Sequence, residues 1–156
     1  MKFIVIDFQA FNIPAVTVKE LAIFDGETVH EYLFQAPIPL CAIEDPGLLK
    51  QIRFLQAYHH CLNFNSGHVP YAKLDEILAH HLQGVRRIYV KGAIKEGFLR
   101  DKVPQSIEIV NTEYIEDCPK FEKQDSCINH ARGKKCICSI SNCKTLYDWI
   151  FSFLPK

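Results

Sequence analysis

An excess of charge of either sign is missing from this chain of 156 residues, because 18 Lys and Arg offset 18 Asp and Glu. That balance excludes a strongly basic nucleic-acid binder, so any phosphate contact has to come from a local patch. Long hydrophobic runs are missing as well: no stretch approaches the roughly 18 apolar residues that a membrane span needs. The start, Met1 to Asp7, is strand-like and carries no cleavage site. These absences predict a soluble, unsecreted, intracellular protein, cytoplasmic or nuclear, without a membrane partner. Repeats and linkers are not evident either, which leaves one domain over residues 1–156, long enough to bury a sizeable core.

Cysteine, by contrast, is plentiful and uneven. Seven are present, and Cys127, Cys136, Cys138 and Cys143 crowd together with His130, with Cys118 shortly before them. An odd number gathered at one end of an unsecreted chain suits metal-bound thiolates in a reducing compartment better than a disulfide framework. Each thiol taken alone packs as a small hydrophobe. Yet Cys127-x2-His130 sets a thiolate and an imidazole around one tight turn, and Cys138 folds back as a third donor after the polar loop Ala131 to Lys135. The chemistry is that of structural zinc, which takes four soft or borderline donors. Cys118 is the first choice for the fourth, Cys136 the second and Glu116 the third.

Lys2 to Phe8 reads as a buried strand, and Val16 to Phe24 and Val29 to Gln35 flank the turn pair Asp25-Gly26, so an antiparallel three-stranded meander opens the chain. A Pro-rich loop follows, then helices over Pro46 to Tyr58 and Tyr71 to Leu82. Arg86 to Val90 is a strand, Ile94 to Arg100 a short helix and Ser106 to Val110 a further strand. The last helix starts near Ser141, with Cys143, Leu146, Trp149, Ile150 and Phe153 on one face. The fold class expected is α/β: a mixed sheet, meander plus parallel strands, flanked by helices, with a zinc knot before the last one.

That order resembles the ribonuclease H-like 3′–5′ exonucleases that carry four acids and a His. Their first strand ends in an Asp-x-Glu pair binding two divalent metals; here Asp7 falls at the Asp and Gln9 at the Glu. Val90 to Leu99 resembles the unit carrying the next metal-binding Asp, and Lys95 falls there. Cys136 or Ile137 falls at the catalytic His, and Asn142 at the last Asp. Two-metal hydrolysis needs clustered carboxylates around the scissile phosphate, and of the five positions only Asp7 survives. The resemblance therefore implies a degenerate site, without magnesium- or manganese-dependent exonuclease activity, in which the Lys95 ammonium pairs with Asp7 in place of a metal. Within the superfamily, Cys127, His130 and Cys138 ahead of Ser139-Ile140-Ser141 and Trp149, with His30-Glu31-Tyr32 earlier, resemble the Maelstrom domain. That resemblance implies a Glu/Cys/His/Cys metal set and a role in RNA silencing; the Glu has no placed counterpart here, and Cys118 stands in for it.

The pairs His59-His60 and His80-His81 lack partners at ligand spacing. Asn63 to Tyr71 is rich in turn formers whose side chains line a pocket or simply connect two helices. Two basic groups remain: one includes Arg86, Arg87 and Lys91, the other Arg132, Lys134 and Lys135. Folded to one side they would contact the phosphates of single-stranded RNA, with Tyr71, Tyr89 or Phe98 available for stacking. The leading expectation is a non-enzymatic RNA- or protein-binding module with no small-molecule substrate. Its alternatives are a single-stranded RNA endonuclease using another site and a protein adaptor that never touches nucleic acid.

Overall fold

The computed structural model describes residues 2–125, 127–131 and 133–153. Its strands are β1 (Phe3–Asn12), β2 (Val16–Phe24), β3 (Val29–Leu33), β4 (Arg87–Val90), β5 (Glu108–Asn111), β6 (Gln124–Asp125) and β7 (Lys135–Cys136). Its α-helices are α1 (Pro46–Phe54), α2 (Leu74–His81), α3 (Ala93–Lys102) and α4 (Ser139–Phe153). Five strands form one mixed sheet in the order β3-β2-β1-β4-β5. The β1–β2 and β2–β3 pairs are antiparallel, whereas β1–β4 and β4–β5 are parallel. The expected α/β class with its meander is therefore present.

Burial on both faces explains the composition of β1, whose apolar run has no solvent side to leave polar. Ile4, Ile6 and Phe8 face one way and join Leu21, Ile23 and Ile88 against Leu74, Leu78 and Leu99 of α2 and α3. Val5 points the other way and, with Ala22 and Tyr89, packs against Cys143, Leu146 and Ile150 of α4. A third cluster, Phe11, Ile43, Ile52 and Phe64, fastens α1 to the far end of β1. Each such side chain contributes about 1.5–3 kcal/mol through burial, and the layers hold Asp7 and Glu20 rigidly between the sheet and α4.

Local chemistry sets the boundaries. At the β2–β3 turn, Asp25 Oδ1 accepts from the N–H groups of Glu27 at 2.9 Å and Thr28 at 2.8 Å, and Gly26 has φ +99°. A Cβ there would also come within 2.5 Å of the Tyr147 hydroxyl, so the turn excludes larger residues. Helix α1 opens on Pro46, with the Asp45 carboxylate capping the Gly47 N–H at 2.8 Å. It ends earlier than the expected Tyr58, because Leu55–His59 widens into a π-helical turn. Helix α4 begins at Ser139 rather than near Ser141, and Phe153 is 65% exposed, so the apolar face expected for it stops at Ile150. The β6–β7 hairpin has no counterpart in the sequence expectations, being only two residues per strand. No described helix is long and apolar enough to cross a membrane.

Candidate metal centre

A bulge in β2 prepares the site. Gln9 pairs with Glu20 but Ala10 pairs with Val18, leaving Lys19 as an extra residue. Glu20 then points toward α4 on the same face as Asp7 and Val5, while Lys19 is turned to the loop at residues 63–66, where its ammonium donates to the carbonyls of Phe64, at 3.0 Å, and Ser66.

Glu20 is fully buried and heavily used. Its carboxylate accepts from the Ser139 backbone N–H at 2.9 Å, Asn129 Nδ2 at 3.1 Å and the Cys127 thiol at 3.5 Å. His130 Nε2 lies 3.1 and 2.9 Å from its two oxygens. The other ring nitrogen, Nδ1, donates to the carbonyl of His60, which fixes the imidazole so that Nε2 faces the cluster. Cys138, immediately before α4, completes the group: one ligand atom each from Glu20, Cys127, His130 and Cys138, all within 4.8 Å of one another. One oxygen, two sulfurs and one imidazole nitrogen, without a surplus carboxylate, suit a borderline transition-metal ion rather than magnesium or calcium.

Protonation agrees with that use. The hydrogen bond from Cys127, followed by that from His130, pulls Cys138 down to about 3, a thiolate at neutral pH. The same bond to Cys138 pushes the Cys127 thiol up. Burial works against a charged His130, but Cys138 and Glu20 outweigh it and raise the ring to about 10. Without metal the cluster thus shares its protons, which metal binding would release.

Three of the four expected ligands lie together, and one does not. Cys118 is a correction: its thiol donates to Thr112 Oγ1 at 3.4 Å and packs into the α4-side core. Neither Cys136 nor Glu116 belongs to the donor group. The carboxylate comes instead from Glu20, whose only sequence signal is an acid at a core-facing position of an apolar strand. The His59-His60 and His80-His81 pairs are absent from any metal-binding group among the described residues.

Beside this centre Asp7, Gln9, Lys95 and Asn142, four positions singled out by the exonuclease resemblance, converge. Asp7 is 1% exposed. Its Oδ1 accepts from Lys95 Nζ at 2.5 Å, and its Oδ2 accepts from Asn142 Nδ2 at 2.9 Å and, at 3.4 Å, from Gln9 Nε2. Burial raises the Asp7 pKa and Lys95 opposes that rise. One carboxylate surrounded by an ammonium and two amides has no oxygen left over for a pair of divalent cations.

The two basic groups do not share a face. Arg87 starts β4 opposite Phe3, at the end of β1 away from the metal centre, and its guanidinium is engaged by Glu108 at 2.7 Å and Tyr89 at 3.2 Å. Arg86 stands beside it, its backbone N–H on the Lys2 carbonyl. Lys91 donates to the Pro119 carbonyl at 2.5 Å and covers the Phe121 ring. Lys134 and Lys135 lie at the opposite end, with Lys134 Nζ 3.3 Å from the Ala57 carbonyl; Arg132 lies outside the described residues. The proposed stacking residues are likewise occupied: Tyr89 is buried, the Tyr71 hydroxyl accepts from Val18 N–H, and Phe98 packs on Phe8.

His60 yields a pH prediction. Its Nδ1 accepts from Leu62 N–H at 3.1 Å, and burial lowers the ring to about 3. A His depressed in the folded state contributes stability that is present above the unfolded value near 6.5 and is lost as pH falls toward 3. Stability of the wild type should therefore drop by roughly a few kcal/mol across that window. His60→Asn, which keeps an acceptor without the titration, should flatten the drop in urea melts taken at stepped pH; an unchanged slope would show that His60 does not carry it. No protein-family model matches the chain, and no curated protein does either.

Proposed function

We propose that this chain is a ribonuclease H-like domain whose exonuclease site is shut by its own side chains, held together by structural zinc, and used as a binding module for single-stranded RNA. The observation that carries the reading is the closure of Asp7 by Lys95, Asn142 and Gln9. An ammonium sits against the carboxylate that a divalent metal would otherwise require, and it is covalently tethered.

The sheet order β3-β2-β1-β4-β5, with β2 alone reversed between its neighbours and β1, β4 and β5 parallel, supports the ribonuclease H-like assignment. The Glu20, Cys127, His130 and Cys138 group supports the Maelstrom branch, whose metal set has the same four residue types. Zinc fits that donor set. It would cross-link β2, the turn at residues 127–130 and the head of α4, acting as a structural clamp because all four donors are protein groups. Single-stranded RNA as the partner rests on the fold and on basic side chains near the metal centre.

Two measurements test this function. Magnesium or manganese should support no exonuclease activity, and Asp7→Ala should change none; a manganese-dependent product ladder abolished by Asp7→Ala would overturn the closed-site reading. Labelled single-stranded RNA should be retained at about 50 mM salt and released as salt rises. Failure to retain it leaves a protein adaptor as the function, and RNA cleavage that persists in chelator indicates a nuclease working by another route.

A further inference from the structure

Next to the metal centre lies a groove of about 580 Å³, bordered by Arg53, Gln56, Asn63, Ser66, Asn129 and Lys134, with His130 in its wall. Two cations line it, and no carboxylate does so among the described residues. Neither Arg53 nor Lys134 takes part in an ion pair among those residues. Behind the wall made by Asn63 and Ser66 sits a third cation, Lys19, 2% exposed and bound to backbone carbonyls. Three positive groups around one concavity concentrate field that the neutral molecule as a whole lacks.

The amides of the groove are half used by the fold. Gln56 Oε1 accepts from Phe64 N–H and Asn63 Oδ1 from Asn65 N–H, so the nitrogen ends remain; Asn129 Nδ2 donates to Glu20, so its oxygen remains. Donors and acceptors side by side suit the edge of a nucleobase.

The rim supplies the remaining element. Arg53 and Ala57 stand one turn apart on the groove side. One position further round, Phe54 and Tyr58 form an aromatic pair with ring centroids 5.7 Å apart. They are 57% and 64% exposed, in contrast to the buried Tyr89. Arg53 and Phe54 end α1, and Ala57 and Tyr58 lie in the π-helical turn at Leu55–His59 that continues it; such turns are frequent at functional sites.

We propose that the groove and this aromatic pair take single-stranded RNA, with a backbone phosphate between Arg53 and Lys134 and an unpaired base stacked on Phe54 or Tyr58. The inference rests on the RNA-binding reading above and relocates the interface away from Arg86, Arg87 and Lys91. An unpaired strand is required because bases stacked inside a duplex offer no free face to an aromatic ring.

The test is fluorescence anisotropy with a fluorescein-labelled oligouridylate, at salt stepped from about 50 mM upward. Phe54→Ala with Tyr58→Ala should weaken binding roughly tenfold, as loss of one stacked base requires. Arg53→Glu with Lys134→Glu should weaken it at least as much and flatten the salt dependence, whereas Arg86→Glu with Arg87→Glu should bind as the wild type does. All six residues except Arg87 are exposed; zinc content and circular dichroism confirm folding, and Arg53→Gln with Lys134→Gln replaces any charge reversal that fails it. Wild-type binding left intact by both groove variants overturns this location and leaves the RNA-binding reading standing. A wild type that binds no oligouridylate overturns both. Equal affinity for a duplex of the same length overturns the stacked base.

Discussion

Cys138→Ser should abolish the proposed zinc binding and destabilise the protein by several kcal/mol, read as a fall in melting temperature of about 10 °C or more for a domain of this size. The loss is large because Cys138 joins α4 to the centre and supplies the thiolate that both Cys127 and His130 address. Glu20→Gln should behave similarly, since it removes the carboxylate that accepts four hydrogen bonds and replaces an anionic ligand with a neutral amide. Cys118→Ser should keep a full complement of zinc. Elemental analysis of protein purified without chelator decides the matter. Substoichiometric zinc in the wild type would remove the structural role, and metal loss from Cys118→Ser would return that residue to the ligand set. The three hydrophobic clusters do not need the metal, so the sheet should outlive it, unlike a zinc finger, which unfolds outright.

The second large effect is expected at Lys95. Lys95→Ala strands a carboxylate that is buried to 1% exposure, and removing one partner of a buried pair costs about 3–5 kcal/mol. The double change Asp7→Asn with Lys95→Met should recover most of that, because the unpaired charge is then gone as well. The pH dependence has a definite sign. Burial already raises the Asp7 pKa in the folded state, and losing the Lys95 charge raises it further. The folded protein then binds more protons than the unfolded chain, so stability of the single variant falls as pH rises through the raised pKa and is restored in acid. Urea unfolding at several pH values measures this. A single variant within about 0.5 kcal/mol of wild type, the range of ordinary surface substitutions, would show that the pair is incidental.

Much of the fold was legible because its signals are local. The β-branched, apolar runs of β1 and β2, the Asp25-Gly26 turn and the spacing of Leu74 and Leu78 are written within windows of a few residues. Three metal ligands were legible for the same reason, since Cys127, His130 and Cys138 are close in sequence. Glu20 was not, because what brings it there is the register of β2 on β1, shifted by one bulge. Parity along a strand decides which face a side chain takes, and one extra residue reverses it. The convergence of Gln9, Lys95 and Asn142 on Asp7 was legible only through the resemblance, as their spacing in the chain carries no such signal. The basic groups show the opposite failure: Arg86 and Lys134 look alike as sequence, and only the sheet shows that they stand at opposite ends. Nothing in the sequence sets Phe54 and Tyr58 apart within the helix expected over Pro46 to Tyr58; only the fold shows that both rings are exposed.

The distribution of the four donors along the chain sets a timetable for biosynthesis. Glu20 lies 107 residues ahead of Cys127 and 110 ahead of His130, so synthesis has to run past Cys138 before all four donors are present. Of the four donors, the carboxylate comes early, while the two thiols and the imidazole follow more than a hundred residues later. A metal bound there would join segments made far apart in time, and a chain stalled before Cys138 would lack one of the four donors. Occupancy of the proposed centre would then record that β2 and the head of α4 have met in register, and a cell that clears unmetallated copies would be clearing the misassembled ones.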